Sequence, residues 1–267
     1  MSKIGFIGTG NMGGALARAV GKSGHELYLS DFLKEKAVAL AAEIGACAHA
    51  SDNAEIVREC DMIFVGVKPQ VLAALADEIR EGLLTRGTQV CLVSMAAGVT
   101  LTRLSELFGS TLPIVRIMPN TPAAVGAGMI LLTAGEHVSD SDKALLEAAL
   151  APAGRLDSIP EHLIDAASAV SGCGPAFVCL FIEALADGGV RCGLPRDKAL
   201  AYAIETVKGT AALLTESGKH PGRVKDEVCS PAGSTIEGVT ALEDGGFRAL
   251  AIEAVTAAFE RTKELGK

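Results

Sequence analysis

The chain has 267 residues, 49% of them hydrophobic, and a formal net charge of −8. That length favours a nucleotide-sized α/β domain with a smaller partner over one continuous core, and the acidic balance, with no cluster of Lys and Arg, excludes a nucleic-acid surface. The longest uncharged apolar runs, such as Ala176 to Ile182, are too short to cross a bilayer, so a soluble protein without a membrane partner is expected.

In chain order, Lys3 to Ile7 reads as a short apolar strand and Met12 to Val20 as a helix that stops near Gly21 and Gly24. Apolar runs at Glu26 to Asp31, Asp61 to Val67, Thr88 to Ser94 and Pro113 to Pro119 are further strands. Helical stretches, including Lys34 to Ile44 and Gln70 to Arg80, separate them. Strands alternating with helices predict a parallel sheet with helices on both faces. The strand signal ends after Ile159. From Glu161 the composition changes to Ala- and Leu-rich stretches, Leu163 to Leu185, Arg196 to Leu214 and Gly246 to Leu265, which predict helices. Domains of 1–160 and 161–267 follow. The second is unusually rich in alanine, with few charges on most helix faces, so a partner subunit is expected to cover it.

The start MSKIGFIG runs straight into a strand with no export signal, so a cytoplasmic location is expected. The seven cysteines, an odd number with no C-x-x-C spacing, read as reduced and mostly structural thiols. No metal-ligand spacing stands out, nor any Ser/His/Asp order or paired-carboxylate motif, and the five histidines are scattered.

Two stretches carry chemistry on their residues alone. Gly8-Thr9-Gly10-Asn11-Met12-Gly13 has G-x-G-x-x-G spacing directly after a strand and at the opening of a helix. Gly8 makes the tight turn, Gly10 bares the backbone where a pyrophosphate approaches, and Gly13 permits close helix–strand contact. The second strand ends in Asp31, where the dinucleotide signature places an acidic residue for the ribose hydroxyls. That favours NAD(H), but Lys34 and Lys36 lie close enough in sequence to neutralise a 2′-phosphate, so NADP(H) stays open. The second stretch is VGVKPQ, Val65 to Gln70, at the carboxyl edge where open α/β sheets bind ligands. Lys68 there is a ligand contact or a strand-end charge, with Pro69 fixing the turn. SMAAGV, from Ser94, and MPNTP, from Met118, lie at the same edge, and their small residues allow close approach of a ring.

The ordered set GFIGTGNMG, VKP, AAGV, MPNTP, SGCGPAF, EALADGGVRCGLPR, HPGRVKDEVCSPAGSTIEG and LEDGGFRALAIEA resembles the pyrroline-5-carboxylate reductases over nearly the whole chain. The β-hydroxyacid dehydrogenases fit less well. They carry a Lys and, one turn later, an Asn where this chain has PAFVCLFIEA.

The resemblance implies an N-terminal Rossmann-type doubly wound parallel sheet and a C-terminal all-helical dimerisation domain, as a homodimer that can assemble into a decamer. It implies reduction of the C=N bond of 1-pyrroline-5-carboxylate to L-proline with NADPH or NADH. The cofactor would be met by Ile7, Gly8, Thr9, Gly10, Asn11, Met12 and Gly13, by Ser30 and Asp31, by Asn53, by Val67, Lys68 and Pro69, and by Met95, Ala96 and Ala97. Ser230, Gly233, Ser234 and Thr235 would meet the substrate, with Thr235 and Lys68 as the catalytic candidates. Glycine lets backbone amides turn toward a small anion, and hydroxyls can join them. The alternative for Ser234 is that it caps a helix.

The sequence departs from the family pattern at Cys173 and Phe177, at Ala232, where glycine is usual, and at Asp31, where small hydroxyl residues are common. Alanine at position 232 is expected to confine the loop to ordinary φ values.

Overall fold

The structure, a computed structural model, describes residues 1–265. In chain order it runs β1 (Lys3–Ile7), α1 (Asn11–Val20), β2 (Glu26–Ser30), α2 (Lys34–Ile44), β3 (Ala48–Ala50), α3 (Asn53–Glu59), β4 (Met62–Val65), α4 (Leu72–Thr85), β5 (Cys91–Ser94), α5 (Leu101–Phe108), β6 (Ile114–Met118), β7 (Gly128–Ala134), α6 (Asp140–Leu150) and β8 (Gly154–Ser158). Helices α7 (Ile164–Ser171), α8 (Gly174–Arg191), α9 (Arg196–Ser217), α10 (Pro221–Val228), α11 (Ser234–Asp244) and α12 (Phe247–Leu265) complete it.

The eight strands form one sheet in the order β3-β2-β1-β4-β5-β6-β7-β8. All neighbours are parallel except β6 and β7. Successive side chains point to opposite faces of a strand, and here both faces are covered. Met62 and Phe64 of β4 join the core under α1, α2 and α6, while Ile63 and Val65 join the core under α3, α4 and α5. Phe6 and Phe64 stack at 4.6 Å on the first of these faces. The unbroken apolar runs in the sequence are thus strands buried on both sides.

Three strands escape the sequence reading. Of the outermost strands, β3 has only three residues and β8 is largely solvent-exposed, so neither shows an apolar pattern. In β7, GMILLTA is a short apolar run that periodicity alone does not separate from a buried helix. The expected single helix Leu163 to Leu185 is broken between α7 and α8 at Gly172 and Cys173. Pro175 has no N–H to continue the α7 ladder and suits the first turn of a new helix.

By packing, the chain divides into Met1–Cys173 with the turns of α12 from Phe259, and Gly174–Ala258. The change in composition at residue 161 comes earlier because α7 is packed on the sheet. Ile164 joins Met118 and Leu131 in a small core, and the buried Arg116 on β6 pairs with Glu161 at 3.2 Å and Asp165 at 3.1 Å.

In the second unit α8 and α9 meet through Ala186, Ala199 and Ala203, while α11 and α12 have no buried residue among the described side chains. The expectation that no apolar stretch reaches membrane length needs correction. The helical stretch Glu161–Arg191 contains an 18-residue window with a mean hydropathy of 1.8 and is long and apolar enough, by length and composition, to cross a bilayer. It also carries Asp165, Glu183 and Asp187 and the break at Gly172.

Candidate active site

Parallel register brings separate sequence stretches to one edge of the sheet. Ile7 pairs with Ser30 on one side and Val65 on the other, and Val65 pairs with Ser94. The residues that follow them, Gly8, Asp31, Gly66 and Met95, therefore emerge side by side. This lies where the strand order reverses direction, at the carboxyl ends of β1 and β4, the ligand position of open α/β sheets.

The glycines there have separate reasons. Gly8 has φ +96°, and a Cβ on it would lie 2.8 Å from the Gly66 carbonyl carbon. A Cβ on Gly13 would overlap the Gly8 carbonyl oxygen. Gly66, which sequence reasoning did not single out, faces the same oxygen at 2.7 Å from its would-be Cβ. Gly10 differs, because a Cβ there would meet nothing within 4 Å. It opens onto a cleft of about 730 Å³ and caps α1 without a side-chain bond, leaving first-turn N–H groups of α1 for an anion.

Of the expected cofactor residues, Ile7, Gly8, Gly10, Ser30, Asp31, Asn53, Val67 and Lys68 line this cleft. Thr9, Gly13 and Ala96 are buried beside it, Met12 and Met95 are half-buried, and Asn11, Pro69 and Ala97 are exposed and outside its lining. Ser30 Oγ donates to Asn53 Oδ1 at 2.7 Å, and Asn53 Nδ2 donates to Glu78 Oε1 at 2.9 Å. Glu78, on α4, and the exposed Phe32 also line the cleft. Neither sits in a local motif, so only the fold identifies them. Lys68 is exposed, and its side chain makes no hydrogen bond or ion pair among the described residues. In MPNTP, Asn120 is a structural tie. Its Nδ2 donates to the Ser171 carbonyl and its Oδ1 accepts the Met129 N–H, both at 2.9 Å.

The Ser230–Thr235 loop belongs to the second unit, between α10 and α11. The Gly233 N–H donates to the Ser230 carbonyl at 3.0 Å, closing a tight turn, and any Cβ on Gly233 would overlap Ser230 Oγ. Ala232 sits at φ +56°, which corrects the expectation of ordinary φ values there: the turn holds the alanine in the left-handed region that glycine occupies at lower cost. Gly233 is the N-cap of α11, with no side-chain cap bond. The hydroxyls of Ser230, Ser234 and Thr235 make no hydrogen bond among the described residues, so none of them caps the helix. The loop thus offers three uncommitted hydroxyls beside the open N–H groups of an 11-residue helix, a combination suited to a small carboxylate.

Two families match separate parts of the chain. Residues 161–265 match the family described as "Pyrroline-5-carboxylate reductase dimerisation", and residues 3–98 match "NADP oxidoreductase coenzyme F420-dependent". The chain is 38% identical to pyrroline-5-carboxylate reductase 3 of Rattus norvegicus, covering 99% of this chain and 96% of that one. Among solved structures it resembles a pyrroline-5-carboxylate reductase of Coxiella burnetii, with TM-score 0.91, 32% identity and coverage of 100% and 99%. It also resembles the Plasmodium falciparum pyrroline carboxylate reductase solved with NADP bound, with TM-score 0.87, 33% identity and coverage of 100% and 98%. With likeness of that extent along its whole length, the chain belongs to the pyrroline-5-carboxylate reductase family.

Proposed function

We propose that this protein reduces the C=N bond of 1-pyrroline-5-carboxylate to give L-proline, the final step of proline synthesis, using NADPH or NADH. The bound nicotinamide supplies the hydride. The chain supplies position. Gly10 and the first turn of α1 hold the pyrophosphate, and Asp31, Asn53 and Lys68 line the rest of the dinucleotide cleft. The first-turn amides of α11 with Ser230, Ser234 and Thr235 take the substrate carboxylate and ring nitrogen. Thr235 fixes the ring nitrogen and so selects the carbon presented for reduction.

The observation that carries this reading is the Ser230–Thr235 turn, whose hydroxyls have no partner among the described residues, in a member of this family. Purified protein should oxidise NADPH or NADH when pyrroline-5-carboxylate is added and show no comparable rate with 2- or 3-hydroxy acids. Equal turnover of a hydroxy acid would refute the assignment.

The same reading makes the protein a homodimer, with the decamer as a higher assembly, and gives the apolar α8 a protein partner in place of a lipid one. A cytoplasmic location is part of the proposal and is supported by seven cysteines that are all free thiols.

A further inference from the structure

The carboxylate that ends β2 is fixed in place. Asp31 Oδ2 accepts the Thr9 backbone N–H at 2.8 Å and the Thr9 hydroxyl at 3.1 Å, and Oδ1 accepts the Leu33 N–H at 3.0 Å. Asp31 is therefore tied to the glycine loop itself while lining the cleft. An ionised carboxylate has about four lone-pair positions, so one is left for an incoming donor. Burial pushes the Asp31 carboxyl up, but hydrogen bonds from Leu33 and Thr9 and the nearby Lys36 ammonium outweigh it and hold the group below its ordinary value. The carboxylate is anionic at neutral pH.

The groups around it offer little to a second anion. Ser30 donates to Asn53 and one of the two Asn53 amide N–H groups donates to Glu78, so of these donors only the second Asn53 N–H stays open. Three carboxylates, Asp31, Asp52 and Glu78, line the cleft against two ammonium groups, Lys34 and Lys68. A ribose 2′-hydroxyl is a donor and can fill the open position on Asp31. A 2′-phosphate has only acceptors to offer once ionised, and it would meet a fixed like charge that cannot move without releasing Thr9. Lys34 and Lys36 are the counterweight, but both are exposed ammonium groups on flexible stems, screened by solvent, whereas the carboxylate is held on three bonds.

We propose that Asp31, positioned by Thr9, makes this protein selective for the dinucleotide with a free 2′-hydroxyl, NADH over NADPH. The inference rests on reading the cleft as the dinucleotide site. Calorimetric titration of the purified full chain with NADH and with NADPH, without substrate, tests both and separates them. NADH should bind at least about tenfold more tightly, a difference of about 1.4 kcal/mol. Asp31→Asn keeps an acceptor for the Thr9 N–H while removing the charge, and should narrow the ratio to within about threefold, mainly by tightening NADPH. Thr9→Val, which removes the hydroxyl bond and leaves Oδ2 on the Thr9 backbone N–H alone, should narrow it in the same direction to a smaller extent. Equal or tighter NADPH binding by the wild type overturns the selectivity claim whether or not either variant folds. A well-folded Asp31→Asn with an unchanged ratio overturns the assignment to Asp31. Binding of neither dinucleotide removes the cleft reading itself, and the inference with it.

Discussion

A hydroxyl without an internal partner is available to something else, and Thr235, at the second residue of α11, has none among the described residues. If it orients the imine nitrogen, Thr235→Ala should lower kcat/KM for pyrroline-5-carboxylate by roughly 10- to 100-fold, about 1.4–2.7 kcal/mol, with cofactor affinity nearly unchanged. Steady-state kinetics and a melting curve on the same variant check this. Normal kinetics with a lowered melting point would make Thr235 a purely structural residue. Three residues earlier, Ala232 at φ +56° carries the opposite kind of information. A left-handed alanine costs about 1–2 kcal/mol in strain, and glycine adds about 0.4–1 kcal/mol of unfolded-state entropy. Ala232→Gly should therefore stabilise the protein by roughly 0.5–1 kcal/mol in chemical denaturation. A loss of stability would mean that the turn does not strain the alanine. The sequence marks this loop clearly through its hydroxyls and glycines, but not its backbone angles, which the Ser230 to Gly233 turn determines.

At the scale of elements, legibility followed burial. Strands β1, β2, β4, β5 and β6 are apolar runs that lie inside the sheet, and G-x-G-x-x-G names the β1–α1 junction outright. The edge strands β3 and β8 have too few buried positions to leave a pattern, and the antiparallel turn of β7 depends on pairing with β6, which no local property encodes. Glu78 escaped for the same reason, since its bond to Asn53 joins α4 to α3 across the cleft wall. The central strands should consequently dominate stability. Phe64 is fully buried on β4 and stacked on Phe6 of β1. Phe64→Ala should cost about 3–5 kcal/mol by equilibrium denaturation, through lost burial plus the cavity left behind. A cost below about 1 kcal/mol would mean that the two cores are far more plastic than close packing allows.

At the scale of the molecule, the second unit leaves too much apolar surface in contact with water to be complete alone. Leu180 is 69% exposed, Leu250 66% and Ile252 63%. Phe177, Leu180, Phe181, Leu242 and Leu250 help to line an apolar groove of about 580 Å³. Monomeric proteins rarely expose contiguous apolar patches of more than a few hundred Å², and stable partners typically bury about 1,200–2,000 Å² between them. The match of residues 161–265 to a dimerisation family supports the proposed second copy as the cover, and a two-fold interface would place the same groove on both subunits. Light scattering at micromolar concentration should therefore give at least twice the chain mass, and ten times if the dimers close into the larger assembly. Leu250→Arg should shift the population toward monomer and lower the melting temperature, because it buries an unpaired charge where the partner packs. A membrane-bound alternative for α8 would show itself differently, as protein that stays in solution only with detergent. A fully active wild-type monomer in plain buffer would contradict the dimer, and would require some other account of why α11 and α12 bury none of their described side chains.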